Sequence, residues 1–84
     1  MKSYTFRISS PVHTVSIDNV VKAIVRTTAG DIGILAGHVP YSSVVKQGTV
    51  KLTLEDNTVK EYSVSDGIIK VADNIVTVLT QTID

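Results

Sequence analysis

The chain has 84 residues, with 8 basic and 8 acidic side chains that cancel, and no cysteine. That bounds it to one small domain, which buries only about 60–65% of its unfolded surface and has no disulfide framework to compensate. Charges spread without runs exclude the clustered Lys and Arg of a nucleic-acid surface or a polybasic membrane patch. No stretch reaches the ~18–20 apolar residues of a membrane span, and Met1–Arg7 lacks a signal peptide's apolar run. A non-secreted protein of a reducing compartment, without direct membrane insertion, is expected. Val, Ile and Thr together number 33, against 8 for Leu and Ala. β-branched side chains are stiff and suit a pleated surface, while helix formers are scarce. The expected class is all-β.

In chain order, Tyr4–Ser9 alternates cleanly, with Tyr4, Phe6 and Ile8 on one face, and reads as a half-buried strand. Ser9-Ser10-Pro11 breaks it, because proline cannot donate to a central ladder. Val12–Ile17 resumes with Val15 and Ile17 inward, and Asp18-Asn19 reads as a turn. Val20–Thr27 is apolar on nearly both faces and reads as a central strand. The pattern puts Val20, Lys22, Ile24 and Arg26 on one face, and Val21, Ala23 and Val25 on the other.

Thr28–Pro40 holds three of the five glycines. Here Ile32–Leu35 reads as a short strand held between two tight turns, Ala29–Asp31 and Ala36–Pro40. Asp31 is placed on the first turn and His38 on the second. Gly30, Gly33 and Gly37 read as backbone devices rather than a phosphate loop, since a phosphate loop must open a helix and none follows. Tyr41–Val45 continues extended. Gln47-Gly48 turns into a strand with Val50, Leu52 and Leu54 inward. Glu55-Asp56-Asn57, Asp66-Gly67 and Ala72-Asp73-Asn74 read as further turns; Val59–Ser65 returns with Tyr62 and Val64 inward, and Ile68–Val71 and Ile75–Thr80 read as strands. Nine or ten short strands point to a sandwich or barrel, and two sheets bury both faces' worth of Val and Ile.

Chemistry has few candidates. Two histidines and no cysteine fall short of the three or four ligands of a zinc site. Ser42 and Ser43 follow His38 but carry no nucleophile motif. No catalytic residue, metal or cofactor is expected. Lys51, Glu55, Lys60 and Glu61 read as a solvated hairpin face.

The stretch Gly30-Asp31-Ile32-Gly33-Ile34-Leu35-Ala36-Gly37-His38-Val39-Pro40 resembles the epsilon subunit of rotary ATP synthases (delta in mitochondria). That family carries an acidic-apolar-Gly-Ile-apolar-Pro-Gly-His-x-Pro run at this distance from the N-terminus. Lys46–Val50 is similar to its Lys-Pro-Gly turn into a strand, Ser65–Val71 to its Ser-Gly-Gly-apolar-apolar-Glu-Val, and Asn74–Leu79 to its Asn-x-Val-Thr-Val-Leu. The departures are Ala36, Gln47, Asp66 and Lys70, all loop or surface positions.

The resemblance implies a flattened sandwich of two roughly five-stranded sheets, residues 1–84 forming one domain. It implies a non-catalytic rotor subunit of the central stalk. Such a subunit joins gamma to the polar loops of the c-ring, so that proton or sodium flow stays coupled to ATP synthesis. Its place would be the cytoplasmic face of the inner membrane, or the matrix or stromal face in an organelle. The c-ring contact would fall on Gly30, Asp31, Ile32 and Gly33, with Asp31 pairing with an arginine of the ring loop. The gamma contact would fall on His38, Pro40, Tyr41, Ser42, Ser43, Ser65 and Asp66. Family members usually continue into a C-terminal helical hairpin that inhibits ATP hydrolysis. This sequence stops where that hairpin would begin, as a naturally short member or one cut at the domain boundary. The rival readings are a β-sandwich ligand-binding module, disfavoured by having no Trp, one Phe and three Tyr, and a lipoyl-type carrier, for which no lysine sits suitably at a hairpin tip.

Overall fold

A computed structural model describes residues 2–37 and 39–84. It contains eight strands among the described residues and no helix: β1 (Tyr4–Ser9), β2 (Thr14–Thr27), β3 (Gly30–Leu35), β4 (Tyr41–Val45), β5 (Gly48–Leu54), β6 (Val59–Val64), β7 (Gly67–Ala72) and β8 (Ile75–Thr80). Pairing runs β2–β1–β8–β7–β4 in one layer and β3–β2–β5–β6 in the other. Every pairing is antiparallel except β1–β8. β2 belongs to both layers, and a single pair, Thr27–Val45, joins them at the far corner. The all-β sandwich is as expected, with eight strands rather than nine or ten.

The difference in number lies in β2. Asp18-Asn19 is not a turn. β2 runs straight through it as a bulge: between the pairs Phe6–Ile17 and Tyr4–Val20, β2 spends one residue more than β1. Asn19 takes up the strain at φ 60°, a left-handed conformation that Asn tolerates better than most residues. A second bulge follows between the pairs Val20–Leu54 and Lys22–Thr53. Each bulge shifts the inward set by one residue, so Ile17, Val20 and Ala23 are all buried at a spacing of three, and Val25 and Thr27 follow at two. This corrects the face assigned to Val20, which is buried while Lys22 and Arg26 stay exposed. Bulging also bends a strand, which is how β2 passes from one layer to the other.

Elsewhere alternation reads directly onto burial. Tyr4, Phe6 and Ile8 of β1, Val50 and Leu52 of β5, Ile69 and Val71 of β7, and Val76 and Val78 of β8 form one core with Val25, Ile34, Val45 and Val64. Tyr62, Leu54, Val15 and Ile83 pack against it, half-buried. Asp73 and Asn74 both take positive φ in the β7–β8 turn, which is the two-residue hairpin geometry that matches strand twist. Gly67 is required for a different reason: a Cβ there would overlap the backbone carbonyl of Leu79 in β8.

Candidate functional site

The β2–β3 hairpin turns on Thr28-Ala29, with Thr27 paired to Gly30. Buried Thr27 fastens it. Its hydroxyl donates to the Gly30 carbonyl at 2.8 Å and accepts the Ala29 N–H at 3.1 Å. Gly30 takes φ 105° and Gly37 φ 80°, as their placement suggested, but Gly33 has no such φ, and a Cβ on it would reach only the Lys22 side chain at 4.0 Å. Asp31 sits on strand β3 rather than on the turn. It faces Arg26 directly across the ladder, with Nε 3.4 Å from Oδ1 and both side chains 60% exposed. Of the four residues assigned to the ring, Gly30, Asp31 and Gly33 are exposed, while Ile32 turns inward and packs on the core.

His38 lies outside the described residues. Pro40 is exposed. β4 divides the rest of the expected gamma surface by its alternation. Tyr41 opposes buried Val71 and packs on the core, and Ser43, opposite buried Ile69, is half-buried. Ser42 faces outward opposite Lys70. The outward face also carries something the sequence reading passed over. Val44 pairs with Ile68, and Ile68 with Leu79, so three large apolar residues form one row across β4, β7 and β8. Each is more than half exposed. Neighbouring strands lie ~4.8 Å apart, so the row spans about 10 Å of continuous apolar surface. The signal was present as consecutive apolar pairs, Val44-Val45, Ile68-Ile69 and Val78-Leu79, where strict alternation would have put a polar residue.

The outer face of the other layer has a different character. Lys22, Arg26, Lys51, Glu61 and Asp31 stand there, exposed. One outer face thus centres on an apolar row, beside Ser42, Lys70 and Arg7, while the other is richer in charge and carries exposed Leu35 next to Lys22.

Ser65 and Asp66 are engaged within the chain. Ser65 Oγ accepts the N–H groups of Gln81 and Thr82, each at 3.1 Å, and lies 2.7 Å from Thr80 Oγ1. Thr80 Oγ1 donates to the Ser65 carbonyl at 2.9 Å. With the Ser65 hydroxyl donating to Thr80, every partner of this half-buried cluster is satisfied. Asp66 Oδ1 accepts the Gln47 N–H at 2.6 Å. These bonds, with Thr28 N–H to the Val44 carbonyl and Lys46 N–H to the Arg26 carbonyl, gather the 28–29, 46–47, 65–66 and 81–82 loops. Beside them, Arg26, Gly30, Asp31, Lys46 and Gln47 line a broad open depression of about 590 Å³. Its shape suits another protein's loop better than an enclosed small molecule.

The family described as ATP synthase, Delta/Epsilon chain, beta-sandwich domain matches residues 3–84. Curated relatives named ATP synthase epsilon chain, from Staphylococcus aureus strains JH9 and Newman, are 42% identical over 66 residues, covering 77% of this chain and 48% of their own. The chain thus spans about half the length of the relatives it matches. Among solved structures, a chain of the Euglena gracilis mitochondrial ATP synthase (OSCP/F1/c-ring) superposes with a TM-score of 0.89 at 21% identity, covering 98% of this chain and 52% of that one. A chain of the Tetrahymena thermophila mitochondrial ATP synthase central stalk and c-ring gives 0.81 at 13% identity, covering 99% and 66%. At those identities the superpositions establish the fold, and the sequence match establishes the kinship. The chain belongs to the ATP synthase delta/epsilon family, as a member of its β-sandwich domain.

Proposed function

We propose that this chain is a non-catalytic adaptor of the rotary ATP synthase. It would join gamma to the c-ring at the membrane-proximal end of the central stalk, so that ion flow drives rotation. The observation that carries the reading is an exposed apolar row on one outer face of the sandwich and an exposed charged hairpin on the other. The Val44–Ile68–Leu79 row is apolar surface of the kind that marks a protein interface. It shares its outer face with Ser42, one of the residues of the gamma surface expected from the sequence. The β2–β3 hairpin offers exposed Asp31 on the charged layer, which suits an arginine of a polar ring loop. The place of the chain would be peripheral, on the side of the membrane that carries the catalytic head.

The test is capture of this chain by gamma, and then by gamma with the c-ring. Ile68→Asp should abolish capture by gamma. Asp31→Arg should leave that capture intact and weaken attachment to the ring. Capture by gamma that survives Ile68→Asp would remove the apolar row from the interface, and no capture of the unaltered chain would refute the adaptor reading.

A further inference from the structure

We infer that Arg26 determines specificity at the ring-facing hairpin. With Asp31 it forms a paired-charge clip whose matching partner is a polar loop offering both a cation and a hydrogen-bond acceptor. The inference rests on the ring-facing reading of β2–β3 given above.

The two residues are Cα partners on adjacent strands, on the outer face. Their contact engages Nε and Oδ1 at 3.4 Å. It is a single bond between groups capable of more: a guanidinium has five N–H donors, and a carboxylate has two oxygens. The terminal guanidinium nitrogens and Oδ2 remain available on side chains that are each 60% exposed. An exposed pair of this kind contributes little to folding, so stability does not account for the arrangement.

The arginine stem also runs beside the neighbouring strand. A Cβ on Gly48 of the neighbouring strand β5 would stand 3.5 Å from Arg26 Cδ and 3.7 Å from Nε. The stem therefore passes over a glycine along the sheet, while the side chain stays 60% exposed. A partner thus meets a guanidinium and a carboxylate in a fixed order, Arg26 on β2 and Asp31 on β3. Arg26 has a second effect. It offsets the field of Asp31, so a loop bringing only positive charge gains less than it would from a lone carboxylate. A loop bringing an arginine next to a carbonyl or carboxylate satisfies both halves. Specificity of this kind works by penalising the wrong partner as much as by rewarding the right one.

The experiment measures binding of the chain–gamma assembly to the isolated c-ring, at low and moderate salt, for four forms: unaltered, Arg26→Met, Asp31→Asn, and the swap Arg26→Asp with Asp31→Arg. Methionine keeps an apolar stem over Gly48. Thermal melting and capture by gamma check that each form is folded. Each single variant should weaken ring binding by about tenfold, as for loss of a charged hydrogen bond. The swap should not restore binding, because the order of charges is reversed. Unchanged or tighter binding by Arg26→Met, with Asp31→Asn weakened, would overturn the role of Arg26 and leave the ring-facing reading standing. Full binding by the swap would overturn the fixed order of the clip. Unchanged ring binding by all variants, with gamma capture intact, would refute the ring-facing hairpin itself.

Discussion

Tyr4→Phe removes one oxygen atom and tests how the two layers are tied together. Tyr4 is 4% exposed, and its hydroxyl donates to the Ile34 carbonyl at 2.6 Å. The bond links β1 to β3, strands that lie in different layers and do not pair. Phenylalanine keeps the ring and its packing but leaves that buried carbonyl without this donor. The cost of such a loss is ~1–3 kcal/mol. For a domain of this size, each kcal/mol lowers Tm by about 4–8 °C. Urea unfolding followed by far-UV circular dichroism should therefore show a lower midpoint with an unchanged slope. A loss below ~0.5 kcal/mol would refute the reasoning, since the carbonyl would then have found another donor at no cost. The same residue predicts a pH effect. Burial pushes the Tyr4 phenol well above its ordinary value of 10.0. As pH rises past that value, the unfolded chain gives up this proton while the folded chain keeps it, so the folded state binds more protons and stability falls. The contribution is complete below about pH 10 and is lost above it. Tyr4→Phe should flatten this alkaline loss relative to the unaltered chain.

Gly67→Ala should destabilise by about 3 kcal/mol in the same unfolding assay, because the new Cβ meets the Leu79 backbone carbonyl and β7 must move off β8. Gly48→Ala is the control and should stay within ~0.5 kcal/mol, since its Cβ meets only the Arg26 side chain at ordinary contact distance. Ser65→Ala should cost about 1–2 kcal/mol, as the Gln81 and Thr82 N–H groups lose their acceptor; hydrogen exchange at those two amides should quicken. Ile68→Asp should cost about 1–2 kcal/mol, because it removes a half-exposed β-branched residue from its row with Val44 and Leu79, while leaving the chain folded and abolishing capture by gamma.

The hairpin and the apolar row show what was legible in each part of the site. Asp31 could be found as a candidate because the surrounding motif is a resemblance carried by consecutive residues. Its partner Arg26 could not, since the pairing depends on Thr28-Ala29 being the whole of the turn, which puts Asp31 back on the strand. Ser65 and Asp66 were named as candidates through a separate stretch, Ser65–Val71, but their bonds to Gln81, Thr82 and Gln47 join segments far apart in the chain.

By itself the sequence determined the all-β class, most of the strands, the inward residues of β1, β5 and β6, and the family. Those depend on local alternation, on β-branched composition and on motifs read along the chain. Only the tertiary structure decided that Asp18-Asn19 is a bulge in one long strand, that Val20 is buried, and that Val44, Ile68 and Leu79 meet in a row. A bulge is a mismatch in length between two paired strands, and a row is a register among three. Neither exists until the strands have met.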